Sequence, residues 1–169
     1  QAPNDWAPFP NFTAQENAGK NLFLAPPIFN AASVRIGGGF GCQGCHQAPE
    51  FDIDPNSRNN GFIGVIGSTQ IDLDNTRSPS LRDILNTSGV ANTPFMHTAV
   101  PMNMRQVLAH YNSIAAAPRN TNLDPRLKPN NLGQNLQMTP AEIDAMVAFL
   151  RTLTGSNVYT NKKWGNPFL

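Results

Sequence analysis

Cys42-Gln43-Gly44-Cys45-His46 places two thiols and an imidazole within five residues, and it uses both cysteines of the chain. At this spacing two thiols can add across the two vinyl groups of one haem. The adjacent histidine then lies beneath the iron as its proximal ligand. A disulfide, a redox Cys-x-x-Cys pair and half of a zinc site are the alternatives. Zinc needs two further ligands at a matching spacing, and no cysteine remains to supply them. A thioredoxin-like pair belongs near a βαβ pattern, which the sequence does not carry. The chemistry expected here is covalent attachment of one haem c.

Short elements with readable ends must position that motif. Thr13-Ala14-Gln15-Glu16 is a capping box that opens a first helix, which carries Leu22, Phe23 and Leu24 and stops at Pro26-Pro27. Residues 30–40 read as a loop ending in Gly37-Gly38-Gly39, which lets the backbone turn tightly before the haem motif. Read instead as a phosphate-cradling loop, these glycines lack a preceding strand and the Lys-Ser/Thr pair. The motif itself is expected on a short helix with Cys42, Cys45 and His46 on one face. Residues 48–76 are polar and turn-rich, and Phe62, Val65 and Ile66 either pack on the haem or form a short hairpin. Ser78-Pro79 has the form of a cap and first helical residue, predicting a helix through Leu81, Ile84 and Leu85.

Residues 87–102 read as a loop. Asn103 with Gln106 caps the next helix, where Met104, Val107, Leu108 and Tyr111 share a face. Another loop, 115–136, leads to the clearest helix. Thr139-Pro140-Ala141-Glu142 opens it, Ile143, Met146, Val147, Leu150 and Leu153 form its apolar stripe, and Gly155 follows as a stop. The expected fold class is all-α: a cytochrome c-like small helical domain, 13–155, with long loops wrapped around one haem. A proline-rich arm, 1–12, precedes it and an extended tail, 156–169, follows.

The 169 residues suffice for one domain with a core, and a net charge of +1 gives no reason to expect nucleic acid or an anionic membrane as partner. Only 14% of residues are charged, while Asn, Pro and Gly abound, a composition that favours hydrogen-bonded loops. No apolar stretch reaches transmembrane length. The start at Gln1, with no leader in view, reads as a processed mature chain. Haem is joined to cysteines outside the bacterial inner membrane, so the periplasm or another extracytoplasmic place is expected, with membrane association through a partner left open.

The order of several segments resembles the carboxy-terminal haem domain of the bacterial di-haem cytochrome c peroxidase and MauG family. They are Gly19-Lys20-Asn21-Leu22-Phe23, the Cys-x-x-Cys-His motif, Ser78-Pro79-Ser80-Leu81-Arg82-Asp83, Thr93-Pro94-Phe95-Met96-His97, Met104 through Asn112, Leu123 through Leu127, and Val147 through Leu153. This sequence departs from the family in two ways. The haem domain that precedes this one in the family has no counterpart here, and Thr98-Ala99 stands where the family has Asp-Gly after the histidine. In the family the amino-terminal haem generally meets peroxide and the carboxy-terminal haem feeds it electrons. A lone second domain therefore implies electron transfer.

The resemblance also bears on the far side of the iron. The family's distal ligand comes from the end of the helix after the His-Asp-Gly loop, methionine in the peroxidases and tyrosine in MauG-like proteins. Tyr111 holds that place, and a tyrosinate would favour ferric iron and a low potential, whereas methionine raises it. Read plainly, Tyr111 is a packed aromatic with its hydroxyl bonded. Met96, Met102 and Met104 are its rivals, Met104 at a core position and Met102 in the loop before the cap; His97 or an open site come after them. His97 falls near the haem in the family; otherwise it is a loop histidine bonded to backbone. His110 is expected at the surface. Pro79 is counted with the haem-binding residues, and Arg77 and Arg82 beside it could pair with the propionates, or stand as two solvated arginines. The family's calcium, held partly through backbone near Asn92 and Pro94, is put in doubt by the missing domain.

The function expected is a mono-haem c-type cytochrome carrying single electrons outside the cytoplasm, to or from a larger redox complex. The alternative is a peroxidase-type haem enzyme, or the electron-transfer half of a di-haem enzyme. An enzyme needs a distal acid or base, and Glu50, Asp52 and Asp54 follow the motif without being required to approach that face. Exposed Trp6, Phe9, Trp164 and Phe168 would call for a partner subunit, unless the two arms wrap this domain.

Overall fold

The computed structural model describes residues 6–48, 51–74, 77–86, 88–92 and 94–155. The expected tail and residues 1–5 of the arm lie outside them. Three capping boxes start three helices, each at the residue the sequence marks. Thr13 Oγ1 accepts from the Glu16 N–H at 3.2 Å and Glu16 Oε2 accepts from the Thr13 N–H at 2.6 Å, opening α1 (Ala14–Leu24). Asn103 and Gln106 exchange the same bonds at 3.0 and 3.3 Å for α2 (Met104–Asn112). Thr139 and Glu142 do so at 3.3 and 2.8 Å for α3 (Pro140–Arg151). Each box satisfies amide hydrogens that the first helical turn leaves without partners.

Helix α1 packs chiefly against α3, and α2 rests on α3 more lightly. Gly19 makes the close approach possible, because a Cβ there would stand 2.7 Å from Phe149 Cβ. Phe23 and Phe149, both buried, meet with ring centroids 5.3 Å apart, and Phe51 joins them at 5.5 and 6.1 Å. Leu108, Leu136, Met146 and Leu150 extend this into a single apolar cluster, which is the main driving force for the fold.

The arm turns back onto its own domain. Asn17 accepts from the Phe9 N–H at 2.7 Å and donates to the carbonyls of Phe9 and Phe12. The Lys20 ammonium, almost fully buried, donates to the Ala7 carbonyl and lies 4.1 Å from the Phe9 ring centroid. Trp6 stays half exposed.

The all-α expectation is corrected. Among the described residues three α-helices stand beside two antiparallel strand pairs and three single 3-10 turns. Residues 30–40 do not form a plain loop: β1 (Pro27–Phe29) pairs with β2 (Arg35–Gly38) across a bulge. Arg35 ties that hairpin to the helices, through Glu142 at 2.6 Å and the Leu136 carbonyl at 2.5 Å. The helix expected from Ser78 is absent as well. The Ser78 N–H donates to Ser57 Oγ at 2.9 Å and the Leu81 N–H to the Phe51 carbonyl at 3.0 Å, so long-range partners take the donors a helix end would offer. Asp83 is left-handed, and Leu85 reaches the core through a bridge to Ala91. Local cap chemistry lost here to tertiary hydrogen bonding.

Candidate functional site

The motif opens on Gly41, left-handed at φ +67°, a conformation that disfavours any residue with a Cβ. Cys42–Gly44 then form one 3-10 turn, closed by the Cys45 N–H on the Cys42 carbonyl at 3.1 Å. The short helix expected for the motif is thus a single turn. His46 already belongs to β3 (His46–Gln47), which pairs with β4 (Asp52–Ile53). Two constraints fix this loop from outside. Gln43 donates to the Leu24 carbonyl at 2.8 Å, and Arg126 donates to the Gly44 carbonyl.

His46 Nδ1 lies 2.9 Å from the Pro79 carbonyl. A carbonyl only accepts, so Nδ1 carries the hydrogen and Nε2 keeps a free lone pair. Burial holds the imidazole pKa down to about 4, with the Arg126 charge adding to the effect and the Pro79 bond opposing it. The ring is therefore neutral and fit to coordinate a metal through Nε2. Pro79 acts on the site through its backbone oxygen.

Cys42 and Cys45 are free thiols. Burial pushes the Cys42 thiol up to about 12, with Cys45 adding to it, and burial raises Cys45 too. Reactive redox cysteines have depressed pKa values, so this pair is a poor disulfide exchanger. Zinc fares no better: among the described residues no three His, Cys, Asp or Glu side chains gather to hold a metal ion. Asn92, beside which the family's calcium would be held, donates its side-chain amide to the Asp83 carbonyl at 2.6 Å.

Tyr111, on the last turn of α2, turns toward the motif. Its phenol is pushed up to about 12, by burial first, with Cys45 and Cys42 close enough to add to the rise and the Asn60 hydrogen bond opposing it. Cys42, His46 and Tyr111 all keep part of their surface accessible although burial dominates their acidity. The two thiols, the neutral imidazole and the phenol are a donor set that would suit a haem c.

The three methionines separate. Met104 is buried in the core, Met102 is 60% exposed, and Met96 packs half-buried against the core with a left-handed backbone. Met96 Sδ and Tyr111 Oη both accept from the Asn60 side-chain amide, each at 3.1 Å. The structure thus brings Tyr111 and Met96 together and sets Met102 and Met104 apart. His97 is exposed and its Nε2 donates to the Gly64 carbonyl at 3.0 Å, the loop role rather than the ligand role.

Arg77 and Arg82 lie exposed on the segment that carries Pro79. The arginine on the motif is Arg126, which sequence reasoning overlooked. It bridges Asp54 and Asp124, both buried, at 2.6 Å each, besides holding Gly44. Asp54 is committed to this ion pair and is no free acid. His110 is corrected from a surface position. It is partly buried, stacks on Phe62 at 4.3 Å between centroids, and donates Nε2–H to the Asn60 carbonyl at 2.7 Å. Burial lowers its pKa, against that hydrogen bond. Asn60 itself carried no sequence signal beyond the Asn59-Asn60-Gly61 turn.

No family model and no curated protein matches this sequence. The fold is similar to that in a crystal structure of a MauG-like protein associated with microbial copper homeostasis, with a TM-score of 0.57 and 20% identity over 94% of this chain and 52% of that one. At this identity the likeness bears on architecture alone. The chain spans about half the length of that protein, and the fold it shares with it is MauG-like.

Proposed function

We propose that this chain is a mono-haem c-type cytochrome that passes single electrons outside the cytoplasm. The observation that carries the reading is the His46 tautomer: Nδ1–H spent on the Pro79 carbonyl, Nε2 left as a ligand, next to two free thiols at the attachment spacing. Each thiol adds across one vinyl group, sulfur to one carbon and hydrogen to the other, so no electron is gained or lost. The haem supplies one-electron redox chemistry at its iron. His46 would ligate the iron, and Tyr111 or Met96 would supply a second ligand. Gln43 and Arg126 keep the attachment loop in place.

A second reading is the electron-transfer half of a two-haem enzyme, favoured by the half-length match to the MauG-like structure. That neighbour's association with copper homeostasis adds a context and no ligand set.

Expression in a host that matures c-type cytochromes, followed by intact-mass analysis, tests the proposal. One haem added to the wild type, and none to Cys42→Ala/Cys45→Ala, is expected. The bare apoprotein mass for the wild type would sink it. A six-coordinate low-spin ferric spectrum indifferent to peroxide separates the carrier from an enzyme, for which a high-spin signal and rapid reaction with peroxide are the marks.

A further inference from the structure

Resting on that reading, we propose that Asn60 is the positioning residue that selects the second iron ligand, keeping Tyr111 in place and Met96 in reserve. The two candidates come from different parts of the chain, the end of α2 and the 94–102 loop, and Asn60 is the group that meets both. Its side-chain nitrogen has two hydrogens. One goes to Tyr111 Oη and the other to Met96 Sδ, each at 3.1 Å.

The amide cannot turn over. Asn60 Oδ1 accepts from the Phe62 N–H at 3.1 Å, so the nitrogen must face the two candidates. The backbone of Asn60 is held as well, because its carbonyl accepts from His110 Nε2 at 2.7 Å. Phe62 packs on the His110 ring, and Gly61 leaves room for it, since a Cβ there would come 3.3 Å from His110 Cε1. His110 and Phe62 therefore aim Asn60 through their hydrogen bonds to its carbonyl and its side-chain oxygen.

Met96 is held under strain. Its φ is +60°, a region that residues with side chains enter only when their surroundings demand it. The two acceptors also differ in kind. An N–H donated to an oxygen that shares charge with a cation is strong, whereas a thioether sulfur accepts weakly. The same amide therefore favours the phenol oxygen at the iron and occupies a lone pair of the sulfur that would compete with it. Without that donor, oxygen loses its support and sulfur is released.

Asn60→Asp and Asn60→Ala test this in the holoprotein. The aspartate keeps the acceptor for Phe62 and removes both donors. The wild type is expected to have a tyrosinate ferric spectrum and a low potential. The variants are expected to gain the far-red thioether-to-iron band and a raised potential, since methionine ligation raises it. Adding Met96→Leu to either variant abolishes that band. A wild type that already has a thioether ligand, or holoprotein variants with unchanged spectrum and potential, overturns the proposal. A wild type that attaches no haem is a failure of the function proposed above. If neither variant folds, Met96→Leu is expected to keep the wild-type spectrum and Tyr111→Phe to gain the thioether band, and the reverse result overturns the proposal.

Discussion

Helices α1 and α3 hold each other by apolar contact and close approach; the stretch 47–103 has no helix among its described residues, and beside the apolar anchors Phe51 and Leu85 it is held by polar side chains. In the first region each element is specified by neighbours in sequence, a cap and a stripe. In the second, partners are far apart along the chain. Asn59, fully buried, exchanges two hydrogen bonds with Asn120 at 2.8 and 2.6 Å and donates to the Leu73 carbonyl. Asp124 accepts from the Arg58 N–H at 2.9 Å. Left-handed non-glycine backbone avoids the three α-helices: Phe51, Asp83, Met96 and Ala99 fall in 47–103, and Ser33, Asn130, Asn131 and Gln137 in the other connections. The site draws on different kinds of element: Tyr111 comes from α2, His46 from the short strand β3 and Met96 from irregular chain. A scaffold set by local chemistry thus carries a site set by long-range hydrogen bonds.

The largest way to break this contrast is Gly19→Val. The side chain would press into Ala145 and Phe149 of α3, and overpacking of this kind should cost about 3 kcal/mol, read as a lower midpoint in chemical denaturation. A neutral result would mean the helix pair is not closely packed.

Asn59→Ala attacks the other region. It takes their acceptor from the Asn120 side-chain NH2 and the Gly61 N–H, while the Leu73 carbonyl keeps Asn122, at a cost of about 2 kcal/mol. Amide exchange should accelerate in 58–74 and around Asn120 well before it does in α1 and α3. Uniform acceleration across the chain would erase the division.

Acid sharpens it further. The Asp54 carboxyl is held below the ordinary range by Arg126 first and the Asn56 N–H next. Burial pushes Asp124 up, but Arg126 and two backbone N–H groups outweigh it and hold it low as well. Both carboxyls thus titrate lower in the folded chain than in the unfolded one. The stability they contribute is complete above the ordinary carboxylate pKa and is lost as pH falls through the depressed folded values. In Arg126→Met the folded values return toward the ordinary range, so this acid-dependent loss should shrink; denaturation midpoints of the two proteins measured across acid pH check it, and an identical pH dependence would contradict the assignment.

The smallest effect is at a cap. Thr139→Ala removes the acceptor for the Glu142 N–H and should cost about 1 kcal/mol, read as a small drop in the denaturation midpoint.

Much of the scaffold was legible because its signals are short-range. Thr13 with Glu16, Asn103 with Gln106, and Thr139 with Glu142 close rings over four residues, and no distant partner competes for their amides. Ser78-Pro79 carried the same type of signal and failed, because Ser57 and Phe51 claimed the donors. The β1–β2 hairpin was missed because Arg35, reaching Leu136 and Glu142 about a hundred residues on, anchors it. In the site, Cys42, Cys45 and His46 could be named from type and spacing, and Tyr111 from the family resemblance. Asn60, His110 and Arg126 could not, because an asparagine in a turn, a histidine beside a tyrosine and an arginine after a proline gain meaning only from what faces them.

The sequence alone determined the three helix starts and the close spacing of Cys42, Cys45 and His46, because capping bonds and motif spacing act within a few residues. The tertiary structure alone decided which histidine nitrogen is free, which arginine guards the motif, and which methionine stands beside the tyrosine. Those choices are hydrogen bonds between residues tens of positions apart, and nothing local specifies their geometry.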